Sequence, residues 1–274
     1  MREILVIVFL LIFPINLYAG QEWRQRTSEK ATEVSASDIE EEIRFGREVA
    51  ARILARADIY SDDALNRYIN LVGKALALNS ARPELEFHFA VLDTMEINAY
   101  AAPGGYVFIT KGALASMKDE AELAGVLAHE ISHITGKHII KEFGVKGSED
   151  SPIAGLARLI GGGTEASRVA FYQAVDKAMD ILFKDGYKRT DEAEADRNAV
   201  LITALSGYEP SALSNYLERL KTIKGQNTEV LDRTHPPYDE RTALIKKTIK
   251  DEGLDISGKN FQERFLTQTK GIKR

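Results

Sequence analysis

Two histidines four residues apart, with a glutamate directly after the first, constrain the fold of this chain more than any other feature. They are His129, Glu130 and His133. On an α-helix, positions i and i+4 project side by side, so two imidazoles at this spacing can bind one Zn²⁺. Neither proline nor glycine falls within residues 126–135, and the pattern predicts a helix over residues 120–135. The glutamate is then placed to act as general base toward an attacking water.

A chance match to this pattern on an amphipathic helix is the alternative. A buried cluster of histidine and glutamate would be costly without a metal to satisfy it, which favours the metal site. The chain contains no cysteine, so thiolate ligands, cysteine nucleophiles and disulfide bonds are excluded. Any metal must therefore be held by nitrogen and oxygen.

The overall composition is that of a globular protein with a sizeable core. The chain has 274 residues, of which 44% are hydrophobic and 28% are charged. The formal net charge is −5 and the pI is near 5.7. This charge balance gives no basic surface for nucleic acid, so we expect no nucleic-acid partner.

A third metal ligand is expected downstream of the two histidines. A metzincin would place another histidine six residues after the second one, but that residue is Ile139. His138 lies one residue too early and points off the predicted metal face, which favours a supporting or structural role. Glu192 and Asp196 are spaced i, i+4 on a predicted helix. One of these carboxylates can bind the metal while the other accepts a hydrogen bond from a metal-binding histidine. The alternative is the solvated acidic start of an ordinary helix.

The N-terminus has the regions of a secretory signal peptide. Arg2 supplies a positive charge, residues 4–13 form an unbroken apolar run, and Ala19 precedes polar sequence. An uncleaved membrane anchor is the alternative, but the run is shorter than the roughly 20 residues that span a bilayer. We predict a signal peptide over residues 1–19 with cleavage after Ala19, and a flexible leader over residues 20–37. The mature protein is then exported and has no membrane span.

Hydrophobic periodicity predicts one α+β domain that is mostly helical, with a small β-sheet or hairpin beside the 120–135 helix. A Pro-Gly-Gly turn at residues 103–105 separates two β-type segments. The domain is expected over residues 38–252, followed by a C-terminal tail over residues 253–274. Strands are predicted at residues 85–91, 97–101 and 106–110, and further helices near residues 38–54, 61–76, 111–117, 165–184, 190–206, 210–222 and 239–251, with a short helix at 153–160 in a glycine-rich loop.

Three separated motifs, at residues 129–133, 189–196 and 98–105, together resemble a known family. Their types and order are similar to those of the HtpX and CAAX prenyl protease-like zinc metallopeptidases. The resemblance covers residues 38–250 and is closest to the soluble periplasmic branch of BepA- and LoiP-like proteins. It implies a zincin-like fold, a periplasmic location and one Zn²⁺ per chain.

The resemblance also implies roles for individual residues. It makes Glu192 the third zinc ligand, as in gluzincins, and Asp196 a supporting carboxylate that is sometimes described as a proton donor. The family has a His-Pro loop and a following arginine near its active site, which correspond here to His235 and Arg241. Arg241 would stabilise the oxyanion of the tetrahedral intermediate. His235 would either do the same or cover the open zinc position at rest.

The segment formed by Asn98, Ala99, Tyr100 and Ala101 is a candidate substrate-binding strand. An extended strand near the metal can bind a peptide by strand addition, through its backbone donors and acceptors. The alternative is an ordinary buried hairpin. The family resemblance favours the substrate edge.

These features together predict an exported zinc-dependent metalloendopeptidase that hydrolyses unfolded or misassembled envelope proteins. The expected partners are protein or peptide substrates and, by the resemblance, outer-membrane assembly factors. The first alternative is a periplasmic chaperone or binding module that keeps the zinc site but cleaves little. The second is a non-proteolytic zinc hydrolase, which the predicted substrate strand argues against.

Overall fold

The computed structural model describes residues 36–143, 164–223, 225 and 227–273. The predicted signal peptide, the predicted leader up to residue 35 and the short helix predicted at residues 153–160 lie outside these residues. The strands are β1 (His88–Leu92), β2 (Ala99–Ala102) and β3 (Tyr106–Thr110). The helices are α1 (Ala36–Leu54), α2 (Asp63–Ala77), α3 (Lys111–Ser116), α4 (Glu120–Thr135), α5 (His138–Lys141), α6 (Glu165–Asp180), α7 (Arg189–Leu205), α8 (Ala212–Leu220), α9 (Glu229–Thr234), α10 (Tyr238–Asp251) and α11 (Gln262–Gln268). No helix in this part of the chain is both long and apolar enough to cross a membrane.

The three described strands form one sheet in the order β1-β3-β2, which confirms the predicted α+β class. β1 runs parallel to β3, and β2 runs antiparallel to it, as predicted for the hairpin. The hairpin turns at Pro103–Gly105, where Gly104 has a φ of 74° and Gly105 a φ of 100°. Both values lie in the left-handed region that glycine adopts without strain. A Cβ on Gly104 would also lie 2.7 Å from the Cα of Ile43, so the turn packs directly on α1 and fixes the position of β2.

Helix α4 carries the two histidines and lies in the centre of the domain. Its first turn is capped by Asp119, whose Oδ1 accepts a hydrogen bond from the backbone N–H of Glu122 at 3.0 Å. Nearly all of its side chains are buried, because α4 packs lengthwise on α7 and is also contacted by α2, α8 and β2. The approach of α8 is close: a Cβ on Gly125 would lie 2.9 Å from the Cβ of Leu213. The metal-binding motif is therefore held by packing on several sides.

The C-terminal segment differs from the predicted tail. Residues 253–273 include α11, whose Phe265 is fully buried, and Arg264 forms an ion pair with the buried Glu120 at the start of α4. Glu120 also accepts hydrogen bonds of 2.7 Å from the hydroxyls of Tyr68 and Tyr208. The segment therefore packs on the domain, which continues past the boundary expected at residue 252. A seven-residue helix without a side-chain cap gives too weak a periodic signal to be predicted.

Candidate metal centre

The two packed helices α4 and α7 bring three donor side chains to one point. His129 and His133 project from α4, and Glu192 projects from the first turn of α7. The two Nε2 atoms are 3.0 Å apart. Nε2 of His133 is 3.4 Å from Oε1 of Glu192, and Nε2 of His129 is 3.7 Å from Oε2. All three side chains are buried, so the geometry predicted from helical spacing is present in the structure.

The donor atoms of this cluster fit a Zn²⁺ ion. The other ring nitrogen of each histidine has a partner: Nδ1 of His129 is 2.9 Å from Oδ1 of Asp196, and Nδ1 of His133 is 2.8 Å from Nδ1 of His138. With a proton on each Nδ1, both Nε2 atoms present lone pairs to the same space. Neither carboxylate oxygen of Glu192 has a hydrogen-bond partner among the described residues, although both are buried. Two imidazole nitrogens and an unpartnered carboxylate together supply the nitrogen and oxygen donors that zinc binds.

Asp196 lies behind the donor cluster, one helical turn after Glu192. Besides its contact with His129, it accepts two hydrogen bonds from Arg241, from Nε at 3.0 Å and from Nη2 at 2.7 Å. Burial opposes ionisation of Asp196, but the Arg241 guanidinium and His129 together hold the pKa of this carboxyl well below its ordinary value. Asp196 is therefore an anion that can hold the proton on Nδ1 of His129.

Glu130 lies at the border between the donor cluster and an apolar pocket. It is 5% exposed, and burial raises its pKa to about 8 while Arg241 opposes the shift. The pocket lies between α4, α8 and the start of β2 and is partly open to solvent. Its polar lining includes Asn98, His129, Glu130, His235 and Arg241, and its apolar lining includes Ile97, Val126, Leu213, Leu217, Leu220 and Leu231.

The predicted substrate strand is an edge of the described sheet, but its residues are placed differently from one another. Asn98 and Ala99 line the pocket beside Glu130. The side chain of Tyr100 points elsewhere: its ring stacks on Phe183 at 4.5 Å between centroids, and its hydroxyl donates to Glu96 at 2.6 Å. The Tyr100 side chain is therefore directed away from the pocket.

Tyr187 lies at the edge of β2 that faces away from β3. The sequence did not indicate this position. In an antiparallel pair only alternate residues direct their backbone groups toward the partner strand. Asn98 and Tyr100 direct theirs toward β3, so the backbone groups of Ala101 point away from it. The Tyr187 hydroxyl donates to the Ala101 carbonyl at 3.4 Å, and its ring stacks on His133 at 3.9 Å between centroids. The only sequence signal would have been its position just before α7. The α8 side chains of the pocket were missed in the same way, because no motif marks them.

His235 directly follows α9, and its side chain reaches the donor cluster. Its Nε2 is 3.9 Å from Oε1 of Glu192, and its ring centroid is 5.9 Å from that of His129. Its Nδ1 is 3.0 Å from Oγ1 of Thr234. Among the described residues, His129, Glu192 and His235 have ligand atoms within 4.8 Å of one another and could hold a metal ion. The structure thus brings His235 as well as Arg241 to the predicted site.

Comparison with known proteins identifies the family of this chain. Residues 63–249 match the model for "Peptidase family M48". The chain is 31% identical to the "Beta-barrel assembly-enhancing protease" of Yersinia pestis over 224 residues, and 30% identical to that of Escherichia coli strain K12 over 230 residues. These alignments cover 74% and 76% of this chain but 43% and 44% of the relatives, so the chain spans less than half of their length.

A more distant similarity extends to a mitochondrial protein. The "Mitochondrial metalloendopeptidase OMA1" of Arabidopsis thaliana is 24% identical over 199 residues, which cover 70% of this chain and 39% of that protein. The match to the family model covers more than half of the chain and confirms the resemblance that the three motifs indicated. The chain belongs to peptidase family M48.

Proposed function

We propose that this protein is an exported zinc-dependent metalloendopeptidase that cleaves unfolded or misassembled envelope proteins. One Zn²⁺ per chain is held by His129, His133 and Glu192. The observation that carries the proposal is the buried Glu192 carboxylate, which has no hydrogen-bond partner in the described structure and faces two imidazole Nε2 atoms. Family membership and the word protease or metalloendopeptidase in the relatives' names support it.

The chemistry follows from the groups around this cluster. When bound, zinc would act as a Lewis acid that polarises the scissile carbonyl. Glu130 takes a proton from the attacking water as the new C–O bond forms, and gives a proton to the leaving amine as the C–N bond breaks. Arg241 lies in the lining of the same pocket and stabilises the negative charge on the carbonyl oxygen. Asp196 keeps the His129 imidazole in its metal-binding tautomer.

Substrate binding is proposed to use β2 and the adjacent pocket. A peptide can pair with the backbone groups of Ala99 and Ala101 by strand addition. Such pairing would displace the Asn98 side-chain oxygen from the Ala99 N–H and the Tyr187 hydroxyl from the Ala101 carbonyl. The apolar lining of the pocket beside Glu130 favours an apolar side chain next to the cleaved bond. Unfolded chains expose such side chains, whereas folded proteins bury them. This preference accounts for a protease that acts on unfolded proteins.

The location and partners are also proposals. The signal-peptide pattern of residues 1–19 supports export to the periplasm. The names of the Yersinia pestis and Escherichia coli relatives refer to β-barrel assembly. By extension, we propose that outer-membrane assembly factors are partners of this protein.

The proposal is tested by identifying cleavage products. Purified protein is incubated with a mixture of unfolded proteins, and new peptide termini are identified by mass spectrometry. We expect zinc-dependent termini with wild-type protein and none with the Glu130→Gln variant. Equal sets of termini in the two samples would contradict the proposed protease. Suppressed aggregation of the mixture by both proteins, without any new termini, would favour the chaperone alternative.

Asp196→Ala should lower zinc affinity or turnover by about 10- to 100-fold, the usual effect of losing a partner of a metal-binding histidine. The structure gives the reason, since His129 and Arg241 both lose their anionic partner. Zinc affinity is measured by competition with a chelator, and turnover on an unfolded substrate. Asp196→Asn keeps an acceptor oxygen and should lose less. Wild-type affinity and turnover in Asp196→Ala, in a protein that remains folded, would rule out this role.

His235→Ala should raise the background cleavage of unfolded substrate. We propose that His235 covers the open side of the metal site at rest, because its Nε2 lies 3.9 Å from Glu192. Arg241→Ala should lower turnover by about 10²–10³-fold, as loss of an oxyanion donor does. Arg189 is exposed, and Arg189→Ala is the control that should leave turnover unchanged. If His235 is instead a transition-state donor, His235→Ala should also lose about 10²–10³-fold. Unchanged turnover in both variants would exclude the roles of both residues.

A further inference from the structure

His138 is buried directly behind one of the proposed zinc ligands. It is the first residue of α5 and is fully buried. Its Nδ1 is 2.8 Å from Nδ1 of His133, which is hydrogen-bonding distance, and the two rings are nearly perpendicular, at 81°. Its other nitrogen, Nε2, is buried and has no hydrogen-bond partner in the described part of the chain. Such an unsatisfied buried nitrogen requires an explanation.

The turn after α4 is built to bring this ring back to the helix. Lys137 adopts a left-handed conformation with a φ of 54° directly before α5, so α5 does not continue the line of α4. Gly136 leaves the space that the ring needs, because a Cβ at this position would lie 2.3 Å from Nε2 of His138. Helical spacing alone would have pointed residue 138 away from His133. The close contact between the two rings is therefore specific to this turn.

Proton counting determines how the two rings can interact. A hydrogen bond between two nitrogens needs one proton, so one Nδ1 donates and the other accepts. If His133 offers the lone pair of Nε2 to a metal, its proton is on Nδ1 and is donated to His138. Nδ1 of His138 must then be unprotonated, and His138 carries its own proton on Nε2. That atom lies 3.9 Å from Oε2 of Glu194.

We propose that His138 is a positioning residue that holds His133 in its metal-binding tautomer and orientation. This inference rests on the proposed zinc site. It also makes the two sides of that site unlike: His129 is supported by the anionic Asp196, whereas His133 is supported by a neutral ring. A neutral acceptor increases the basicity of its ligand less than a carboxylate does. This pair of supports would leave a bound zinc ion with more of its positive charge than two carboxylate-supported histidines would.

The first test observes the protons directly. The zinc-loaded, ¹⁵N-labelled protein is studied by long-range ¹H–¹⁵N NMR of the imidazole rings. We expect His133 to be protonated at Nδ1, and His138 to be protonated at Nε2 only. Protonation of His138 at Nδ1 would overturn the proposal. A protein that binds no zinc at all would instead contradict the proposed function, so the two failures are distinguishable.

The second test uses two variants of the same position. His138→Leu removes the acceptor and should weaken zinc binding by about 10- to 100-fold in chelator competition. His138→Asn places an amide oxygen close to the position of Nδ1 and should recover most of the affinity. His88→Leu, at an exposed histidine on β1, is the matched control and should bind zinc as wild type does. Thermal unfolding of the metal-free variants reports any loss of fold.

Two outcomes of this second test would overturn the proposal. One is wild-type zinc affinity in His138→Leu. The other is equal loss in His138→Leu and His138→Asn while both metal-free proteins remain folded, because the hydrogen-bond acceptor would then be irrelevant. If His138→Leu fails to fold, the NMR measurement on the wild-type protein still decides between the two tautomers.

Discussion

Glu130→Gln should lower peptide-bond hydrolysis by about 10²–10⁴-fold, the range that general acid–base catalysis contributes. Glutamine has the same shape as glutamate but cannot accept the proton of the attacking water. Glu130 borders the donor cluster without belonging to it, so the variant should retain zinc and continue to bind unfolded substrate. The measurement is turnover on a defined unfolded protein, together with its dissociation constant and the zinc content of each preparation.

The control for this experiment is a glutamate outside the site. Glu263 is exposed on α11, and Glu263→Gln should leave turnover unchanged. Wild-type turnover in Glu130→Gln would show that another group accepts the proton. A variant that loses zinc as well as turnover would place Glu130 among the ligands and contradict the assignment of Glu192 as the third one.

Removing the proposed ligands should remove the metal. Wild-type protein is expected to contain nearly one zinc per chain, His133→Ala should lose most of it, and the double variant His133→Ala, Glu192→Ala should lose all of it. Hydrolysis should fall to background at the same time, since a catalytic zinc site has only three protein ligands. Zinc content is measured by elemental analysis after dialysis against a weak chelator.

Stability separates loss of a ligand from loss of the fold. The Glu192 carboxylate is buried without a hydrogen-bond partner in the described structure, and such a group costs free energy when no metal is bound. Replacing it in the metal-free protein should therefore not lower the free energy of unfolding. Full zinc retention in the double variant would refute the ligand assignment, and marked destabilisation of metal-free Glu192→Ala would indicate a structural role instead.

The local parts of this molecule could be predicted from the sequence. Glu192 and Asp196, like the two histidines of α4, share a helix face because helical periodicity depends only on nearby residues. The antiparallel β2–β3 hairpin follows from the Pro-Gly-Gly turn at residues 103–105, since these residue types specify the turn themselves. The functional roles of these residues stay predictions, but their juxtaposition did not depend on distant packing.

The parts that could not be predicted depend on contacts between distant residues. Leu213 and Leu217 form part of the pocket only because α8 packs on α4 at Gly125, and no motif in α8 marks that face. Tyr187 meets Ala101 across 86 positions of sequence. The contact between His138 and His133 depends on the left-handed turn at residue 137, which no residue type in that segment specifies. Periodicity carries no information about such approaches.

The ion pair between the buried Glu120 and the partly exposed Arg264 has a consequence for when the metal centre can form. The two residues are 144 positions apart, so the start of α4 receives a charged partner from a helix far downstream, α11. A chain that emerges N-terminus first exposes its histidine motif long before α11 is available. Until then, Glu120 lacks the guanidinium of Arg264, and burying a carboxylate without a counter-charge is unfavourable even when the Tyr68 and Tyr208 hydroxyls donate to it. We therefore expect completion of the metal centre to be coupled to the docking of α11 on α4.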